Sequence, residues 1–296
     1  MELRVLQYFL AVTREQSISK AAESLHLTQP TLSRQLKEME EELGKQLLIR
    51  GNRRVTLTEE GMILRKRAEE IIELVQKAED EISLSEETIA GDITIGAGET
   101  NGVRFLTKAA QAVQKEHPLV HFHIISGDKV TVTESMDKGL IDFGLFFGEI
   151  DTSKYEYMHL PYKDTWGVLM RRDSPLAKKE NISPEDLQDK PLIISRQALH
   201  DSELQEFLQC KTDKLNIVGT YNLLFNGSLM VADGMGYALC LDNIINVSGN
   251  SSLCFKPFSP ELEADICITW KKYQVFTKAA QKFLQKLQET IYIYGD

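Results

Sequence analysis

The chain has 296 residues, of which 42% are hydrophobic and 26% charged, and this length suggests two or three folded units. No apolar run approaches the roughly 20 residues that span a membrane. The N-terminus has no basic start of the kind that opens a signal peptide, so we expect a cytoplasmic protein. The net charge of −10 argues against binding nucleic acid through overall charge. Residues 1–60, however, carry nine basic and nine acidic side chains, so the acidity lies mostly further along the chain.

The first part of the chain predicts two helices. Apolar side chains recur at helical spacing over 3–14. A second helix is expected over 18–25, because Ser17 and Ser19 are good N-cap residues. The residues that follow, 26–28, are interpreted as a short turn.

A third helix is expected over 29–43. Thr28 can cap it, Pro30 is tolerated in its first turn, and Gly44 stops it. Two helices joined by a three-residue turn, after a supporting helix, form the helix-turn-helix plan, here over 18–37. The second helix of such a pair enters the major groove of DNA, so this segment predicts a DNA-binding domain.

The N-terminal end of that helix carries side chains that suit base edges. Glutamine can pair with adenine, arginine with guanine, and a threonine methyl or proline ring can touch a thymine methyl. The candidate DNA-binding residues are Thr28, Gln29, Pro30, Thr31, Ser33 and Arg34.

A hairpin is predicted next, with strand-like residues over 47–50 and 54–57. It would form a wing that presents Arg50, Arg53 and Arg54 to phosphates or the minor groove. The alternative is a small helical domain with a solvated basic turn. The ordered combination of three helices and a hairpin favours a winged helix-turn-helix domain.

The same residues, in fixed register, resemble the LysR-type transcriptional regulators. The resemblance implies an α/β protein with an N-terminal all-α winged helix-turn-helix (1–58), a long linker helix (59–90) and a two-lobed effector domain (91–296) resembling type 2 periplasmic binding proteins. The matching residues are Phe9, Ser17, Ala21-Ala22, Leu25, Thr28-Gln29-Pro30, Leu32-Ser33-Arg34, Leu36, Glu40, Leu43-Gly44, Leu47, Arg50, Val55-Thr56-Leu57-Thr58 and Gly61.

The segment after Thr58 predicts one long helix with a narrow apolar stripe. The stripe averages 3.5 residues per step, which is the coiled-coil repeat. The helix therefore pairs with another chain or packs against its own chain. The resemblance favours the first and implies a homodimer through 59–90, with a homotetramer expected from pairing of dimers. The stripe consists of Leu64, Ala68, Ile71, Val75, Ala78 and Ile82.

From Gly91 onwards, predicted strands alternate with predicted helices, which argues for an α/β sheet with parallel strands. The predicted strands cover 92–97, 120–125, 143–147, 166–170, 192–194, 217–219, 237–241 and 266–270. The predicted helices cover 102–116, 132–138 and 277–290, with two more that begin at Ser202 and after Asn226. The resemblance implies that lobe I comprises about 91–161 and 268–296, and lobe II about 162–267. It also implies two crossings between the lobes, near 162–168 and 264–270, with a small-molecule effector in the cleft.

In such sheets ligands bind at the carboxyl ends of strands, often at a helix N-terminus. Lys129 or Arg196 could bind a carboxylate, so an organic acid is the expected effector. Thr100 and Ser195 are expected to face each other across the cleft. Together with position in the family, this selects as effector-binding residues Thr100, Asn101, Lys129, Thr131, Ser195, Arg196 and Asn226.

Motifs typical of other functions are incomplete or absent in this sequence. The glycines of 96–102 do not fit a dinucleotide motif, and two packed or surface histidines explain His121 and His123 better than a metal pair. No catalytic motif is present, so neither an enzyme nor a cofactor or metal is expected. The remaining alternative is a cytoplasmic solute-binding or redox-sensing protein. The four cysteines form no C-x-x-C pair, and Cys210 and Cys240 lack the expected redox spacing.

Overall fold

A computed structural model describes residues 1–51, 54–83, 88–148, 150–200, 202–208 and 215–294. The chain divides into two compact units, Met1–Leu84 and Ser85–Asp296. Each unit has its own hydrophobic core and is described separately.

The N-terminal unit contains the predicted helices and hairpin. For the first three helices and the two strands, the described ends agree with the sequence prediction to within one residue; the long helix was predicted over 59–90, but its described part ends at Ser83 and residues 88–90 are not helical. Local signals explain this agreement: Ser17 accepts the Lys20 N–H, and Gly44 ends the third helix at φ 64°. The elements are α1 (Leu3–Glu15), α2 (Ile18–Ser24), α3 (Gln29–Leu43), β1 (Leu48–Arg50), β2 (Val55–Leu57) and α4 (Glu59–Ser83).

One core joins all these elements. Phe9 of α1 and both Leu32 and Leu36 of α3 are fully buried in it. Ala68 of α4 is buried in the same cluster, so the long helix starts by packing on its own chain. Truncating such side chains costs several kcal/mol, because the cavity left behind is not refilled.

The apolar stripe of α4 is shared between this core and solvent. Leu64 and Ala68 pack inward as the stripe predicts, but the next inward residue is Ile72. Ile71 is 36% exposed and Ile82 is 84% exposed. The self-packing alternative is therefore correct for the part of the helix up to Ile72, about four turns. The later turns leave apolar side chains uncovered by the described residues of this chain.

The C-terminal unit is built on one mixed sheet. Among the described residues the strand order is β4-β3-β5-β11-β6-β9-β7-β8, with β10 paired to β6. The strands are β3 (Gly91–Ala97), β4 (Val120–Ser126), β5 (Phe143–Phe147), β6 (Tyr155–Arg171), β7 (Leu192–Ser195), β8 (Ile217–Tyr221), β9 (Tyr237–Leu241), β10 (Leu253–Pro257) and β11 (Glu263–Lys271).

Helices cover the sheet in two groups. In lobe I the largest core cluster places Phe143 of β5 against Leu106 and Phe283, and in lobe II Ile194 and Leu239 lie in the main cluster. The helices are α5 (Val103–Glu116), α6 (Lys129–Asp137), α7 (Ser202–Phe207), α8 (Leu224–Ala232) and α9 (Lys278–Tyr294). The α/β fold class is thereby confirmed.

Two strands run from one lobe into the other. The first part of β6 pairs antiparallel with β11, and its second part pairs with β9 and β10. The expectation of parallel strands is therefore wrong for these crossings, although β3 and β7 pair in parallel with their neighbours. Only 166–170 of β6 was predicted as a strand. Its first part is rich in exposed polar residues and lacks the continuous apolar pattern of the second.

Candidate functional site

The N-terminal end of α3 presents a row of polar side chains to solvent. Its N-cap hydroxyl, Thr28 Oγ1, accepts the Thr31 N–H at 3.4 Å and lies 2.8 Å from the Thr31 hydroxyl. The first turn is therefore ordered without a ligand. Ser33 is half-buried behind it. The exposed members of the row are Thr28, Gln29, Pro30, Thr31 and Arg34.

A carboxylate of α3 holds the start of the hairpin. Glu40 Oε1 accepts the backbone N–H groups of Leu47 at 2.7 Å and Leu48 at 2.9 Å. Arg50 then returns to α3: its Nη1 donates to Ser33 Oγ at 3.0 Å, and its Nη2 lies 3.8 Å from Glu40 Oε2. The recognition helix and the wing are therefore joined by side chains of both.

The remaining basic candidates differ in their surroundings. Arg34 is exposed, with its Nε 3.8 Å from Glu38 Oε1, and a surface pair of this kind is weak. Arg54 is also exposed, and its carbonyl accepts the Gly51 N–H at 3.1 Å. Arg53 lies outside the described residues and stays a prediction.

In the C-terminal unit, the loop after β3 is tied to the crossing strand β6. The Thr100 hydroxyl donates to Asp164 Oδ2 and accepts the Gly102 N–H at 2.9 Å. Asn101 Nδ2 lies 3.4 Å from the hydroxyl of Tyr162. Thr100 is only 9% exposed. In this structure its hydroxyl is therefore occupied by hydrogen bonds at the junction of the lobes.

A second contact joins the lobes at the start of α6. The Lys129 N–H donates to Gln197 Oε1 at 3.4 Å. Hydrogen bonds from Thr131, together with the Arg196 guanidinium, hold the pKa of Asp128 below its usual range. Lys129 and Arg196 were predicted from opposite lobes, and the structure brings their segments together. The carboxylate that lies near Arg196 in this structure belongs to Asp128.

The other two candidates of lobe II make different contacts. Ser195 Oγ accepts the Ala198 N–H at 3.1 Å. Asn226 is exposed in the first turn of α8, a helix that begins two residues before it and not after it as predicted. The N-terminus of α8 is met by lobe I, because the Glu99 carboxylate accepts the Leu224 N–H. The facing of Thr100 and Ser195 stays a prediction.

Sequence reasoning missed the acidic side chains of the lobe junction. Asp164 is fully buried, and its Oδ1 has no hydrogen-bond partner among the described residues. Burial raises the pKa of Asp164 to about 6; the Thr100 hydrogen bond opposes this shift and the charge of Asp242 adds to it. The sequence contained a signal for this residue, because an aspartate inside the predicted crossing segment 162–168 is expected either to be buried or to bind a ligand.

The cysteine and histidine alternatives gain no support from the described residues. Burial raises the pKa of the Cys240 thiol well above its usual range, which disfavours the reactive thiolate. Cys210 lies outside the described residues. His121 Nδ1 and His123 Nε2 each lie 3.4 Å from Asp92 Oδ1, on an exposed part of the sheet.

Comparison with known proteins places both units in one family. Residues 3–62 match the bacterial regulatory helix-turn-helix domain of the lysR family, and residues 86–291 match the LysR substrate binding domain. The chain therefore belongs to the LysR family of DNA-binding transcriptional regulators, whose members join such a domain to a substrate-binding domain.

Individual relatives agree with this assignment. The chain is 32% identical over 198 residues to the transcriptional regulator BsdA of Bacillus subtilis, covering 66% of this chain and 67% of the relative. It is 26% identical over 298 residues to the Hca operon transcriptional activator HcaR of Escherichia coli, covering 98% of each. The crystal structure of full-length CbnR with its target DNA shares the fold, with a TM-score of 0.74 at 17% identity and coverage of 98% and 100%.

Proposed function

We propose that this regulator reads a promoter with the exposed end of α3 in the major groove and the β1–β2 hairpin on the DNA backbone. The observation that carries the proposal is the solvated row at the N-terminus of α3, backed by the Glu40 and Arg50 contacts. Side chains at this end of a recognition helix reach base edges. Arg50, already bonded to Ser33, serves mainly to position the wing.

The proposal includes pairing of two chains through α4. Along this helix Ile71 and Leu74 are each 36% exposed and Ile82 is 84% exposed, and none of the three belongs to the core of the N-terminal unit among the described residues. A partner helix would bury them and place two DNA-binding units on one axis, so that two half-sites are read about one helical turn, or a multiple of it, apart. A tetramer formed from two such dimers is part of the proposal.

The effector site is proposed between the lobes, near Lys129 and Arg196. Asp128 supplies a carboxylate beside Arg196 in the structure described here. An organic acid would compete with it for the guanidinium and alter the contact between lobes. An effector acts only if it binds one lobe arrangement better than the other, and the angle between lobes then sets the spacing of the DNA-binding units.

The same proposal makes the protein a cytoplasmic regulator without enzymatic activity, because its sites are assigned to recognition alone. In the part of the chain that the structure describes, no helix is both long enough and apolar enough to cross a membrane.

The proposed function is tested by a gel-shift assay with the DNA upstream of the protein's own gene. We expect a discrete shift that survives competitor DNA and weakens with salt, because phosphate contacts release counterions. Failure of folded protein to shift this DNA at low salt would refute promoter reading.

Arg34 and Arg54 are expected to contribute differently to DNA binding. Arg34→Ala removes a base contact and should weaken specific binding by about 1–3 kcal/mol while relaxing sequence preference. Arg54→Ala removes a phosphate contact and should weaken specific and random DNA alike, with a shallower salt dependence. Titrations against operator and scrambled duplexes at several salt concentrations measure both. Equal losses on the two duplexes for Arg34→Ala would contradict its role.

Pairing through α4 is tested by the double variant Ile71→Glu with Leu74→Glu. Burying two carboxylates in an apolar seam is costly, so self-association through this helix should weaken about 100-fold. Sedimentation velocity over a range of concentrations measures the change. Met62→Glu is the matched control, because Met62 is 56% exposed on the same helix and lies off the predicted stripe. An unchanged mass distribution for the double variant would exclude α4 as the pairing surface.

A further inference from the structure

Lobe II contains a cavity of about 350 Å³ that none of the predicted effector residues lines. Leu224, Val247 and Phe255 contribute to its apolar wall. Its charged lining residues are Asp242 and Glu261, and among the described residues no lysine, arginine or histidine lines it. The volume falls within the range of small-molecule sites, and the lining combines an apolar surface with negative charge.

The negative charge is fixed in place. Asp242 Oδ1 accepts the Thr165 N–H at 2.9 Å, and its Oδ2 accepts a hydrogen bond from the Asn243 side chain. Asp164 directly precedes Thr165 on β6. It is buried, and its Oδ1 has no hydrogen-bond partner among the described residues. The charge of Asp242 adds to burial in raising the pKa of Asp164. The charge of Asp242 thus disfavours ionisation of Asp164 beside the cavity.

Nearby cations are directed elsewhere. The Arg172 guanidinium donates to the carbonyls of Val247 and Ser251 behind the wall. The Lys163 ammonium, on the same strand as Asp164, lies 2.9 Å from Glu263 Oε2 and also contacts Asp265. These two cations therefore do not neutralise the carboxylates that line the cavity.

We infer that this cavity binds an organic cation, a primary amine on an apolar chain, whose ammonium group pairs with Asp242 and Glu261. The hydrocarbon part then contacts Leu224, Val247 and Phe255. An anionic ligand is disfavoured, because it would add a further negative charge to this cluster.

The cavity is also connected to the other lobe. Leu224, in its wall, is the first residue of α8 and donates its N–H to Glu99 of lobe I. A ligand that displaces Leu224 therefore acts on the contact between lobes. This regulatory consequence rests on the proposed function, whereas the chemical class of the ligand does not.

Calorimetric titration of the full-length protein with hexylammonium, hexanol and hexanoate tests the ligand class. We expect hexylammonium to saturate one site and to bind about tenfold more tightly than hexanol, because a hydrogen bond to a charged group adds that much. Hexanoate should bind more weakly than either. Failure of hexylammonium to saturate, or hexanoate binding as tightly, would overturn the inference.

Variants locate the site. Glu261→Gln and Asp242→Asn should each weaken hexylammonium binding about tenfold, and Ile245→Trp should fill the cavity and block binding. Glu261 is exposed, so its variant remains informative if Asp242→Asn unfolds the lobe. Glu180→Gln, at another exposed acid of this lobe, is the control and should bind as the unmodified protein does. Unchanged affinity in Glu261→Gln and Ile245→Trp would exclude this cavity.

A gel-shift assay with the protein's own upstream DNA, with and without hexylammonium, tests the coupling. We expect the amine to change the affinity or mobility of the complex. Calorimetric binding with no effect on a normal shift would contradict coupling. Absence of any shift without the amine would refute the proposed function, and the calorimetric result would still decide the ligand class.

Discussion

Glu40→Ala is expected to destabilise the DNA-binding unit by about 3 kcal/mol, because it leaves two buried N–H groups without an acceptor. The groups belong to Leu47 and Leu48, which are 2% and 1% exposed. The substitution also removes the carboxylate near Arg50, so the wing loses its fixed position beside α3. Specific DNA binding should therefore fall about 100-fold, because a loss of about 3 kcal/mol in the free energy of folding the wing corresponds to a factor of about that size.

Hydrogen exchange measured by mass spectrometry over 29–57 reports this change, since amides exchange through local opening. Glu41→Ala is the matched control: it removes the same charge from the next position, where the side chain is exposed and lies 3.3 Å from Lys37 Nζ. Glu40→Gln keeps an acceptor oxygen and should restore part of the protection. If Glu40→Ala exchanged and bound DNA like Glu41→Ala, the two backbone hydrogen bonds would not be what holds the wing.

Asp164→Asn is expected to stabilise the C-terminal unit at neutral pH and to lose that effect in acid. The folded-state pKa of Asp164 is raised to about 6, above the ordinary value near 4. Between these values the folded chain binds a proton that the unfolded chain does not, so the free energy of unfolding rises as pH falls through 6 towards 4. Above about pH 7 the full cost of the buried charge, up to about 3 kcal/mol, is present and the asparagine variant avoids it.

Urea unfolding followed by tryptophan fluorescence measures this difference, because both tryptophans, Trp166 and Trp270, lie in the C-terminal unit. The gain from Asp164→Asn should be largest near pH 7.5 and should fall to about a third of that value near pH 4.5, by the linkage between proton binding and stability. Asp189→Asn, an exposed position in lobe II, is the control and should show no comparable dependence. A gain of equal size at both pH values would mean that Asp164 is not titrating in the folded protein.

The DNA-binding unit could be predicted residue by residue because its signals are local. Ser17 and Thr28 cap their own helices, and Gly44 ends the helix that precedes it. Each signal acts within one turn of the residue that carries it. The partner of Glu40 could not be predicted this way, because the two N–H groups it binds come from a hairpin seven and eight residues further on.

In the C-terminal unit, local signals predicted the strands but not the contacts of the candidate site. Strands such as β5 and β9 were predicted within their observed bounds from apolar runs. The structure brings together only some of the site residues selected at strand ends. Lys129 and Arg196 lie where the lobes meet, whereas the Thr100 hydroxyl donates a hydrogen bond to Asp164, 64 residues away. Which side chain reaches a cleft depends on how two crossing strands set the lobes, and no local pattern encodes that.

The sequence by itself therefore determined the order of elements, the family and the polar N-terminal end of α3, since periodicity, caps and turn residues are short-range properties. Only the tertiary structure decided how α4 divides its apolar stripe, because Ile72 replaces Ile71 against the core. It also decided that acidic side chains gather beside a lobe II cavity. Asp164, Asp242 and Glu261 are far apart along the chain, and the charge of Asp242 raises the pKa of Asp164 only once the crossing strand and β9 are paired.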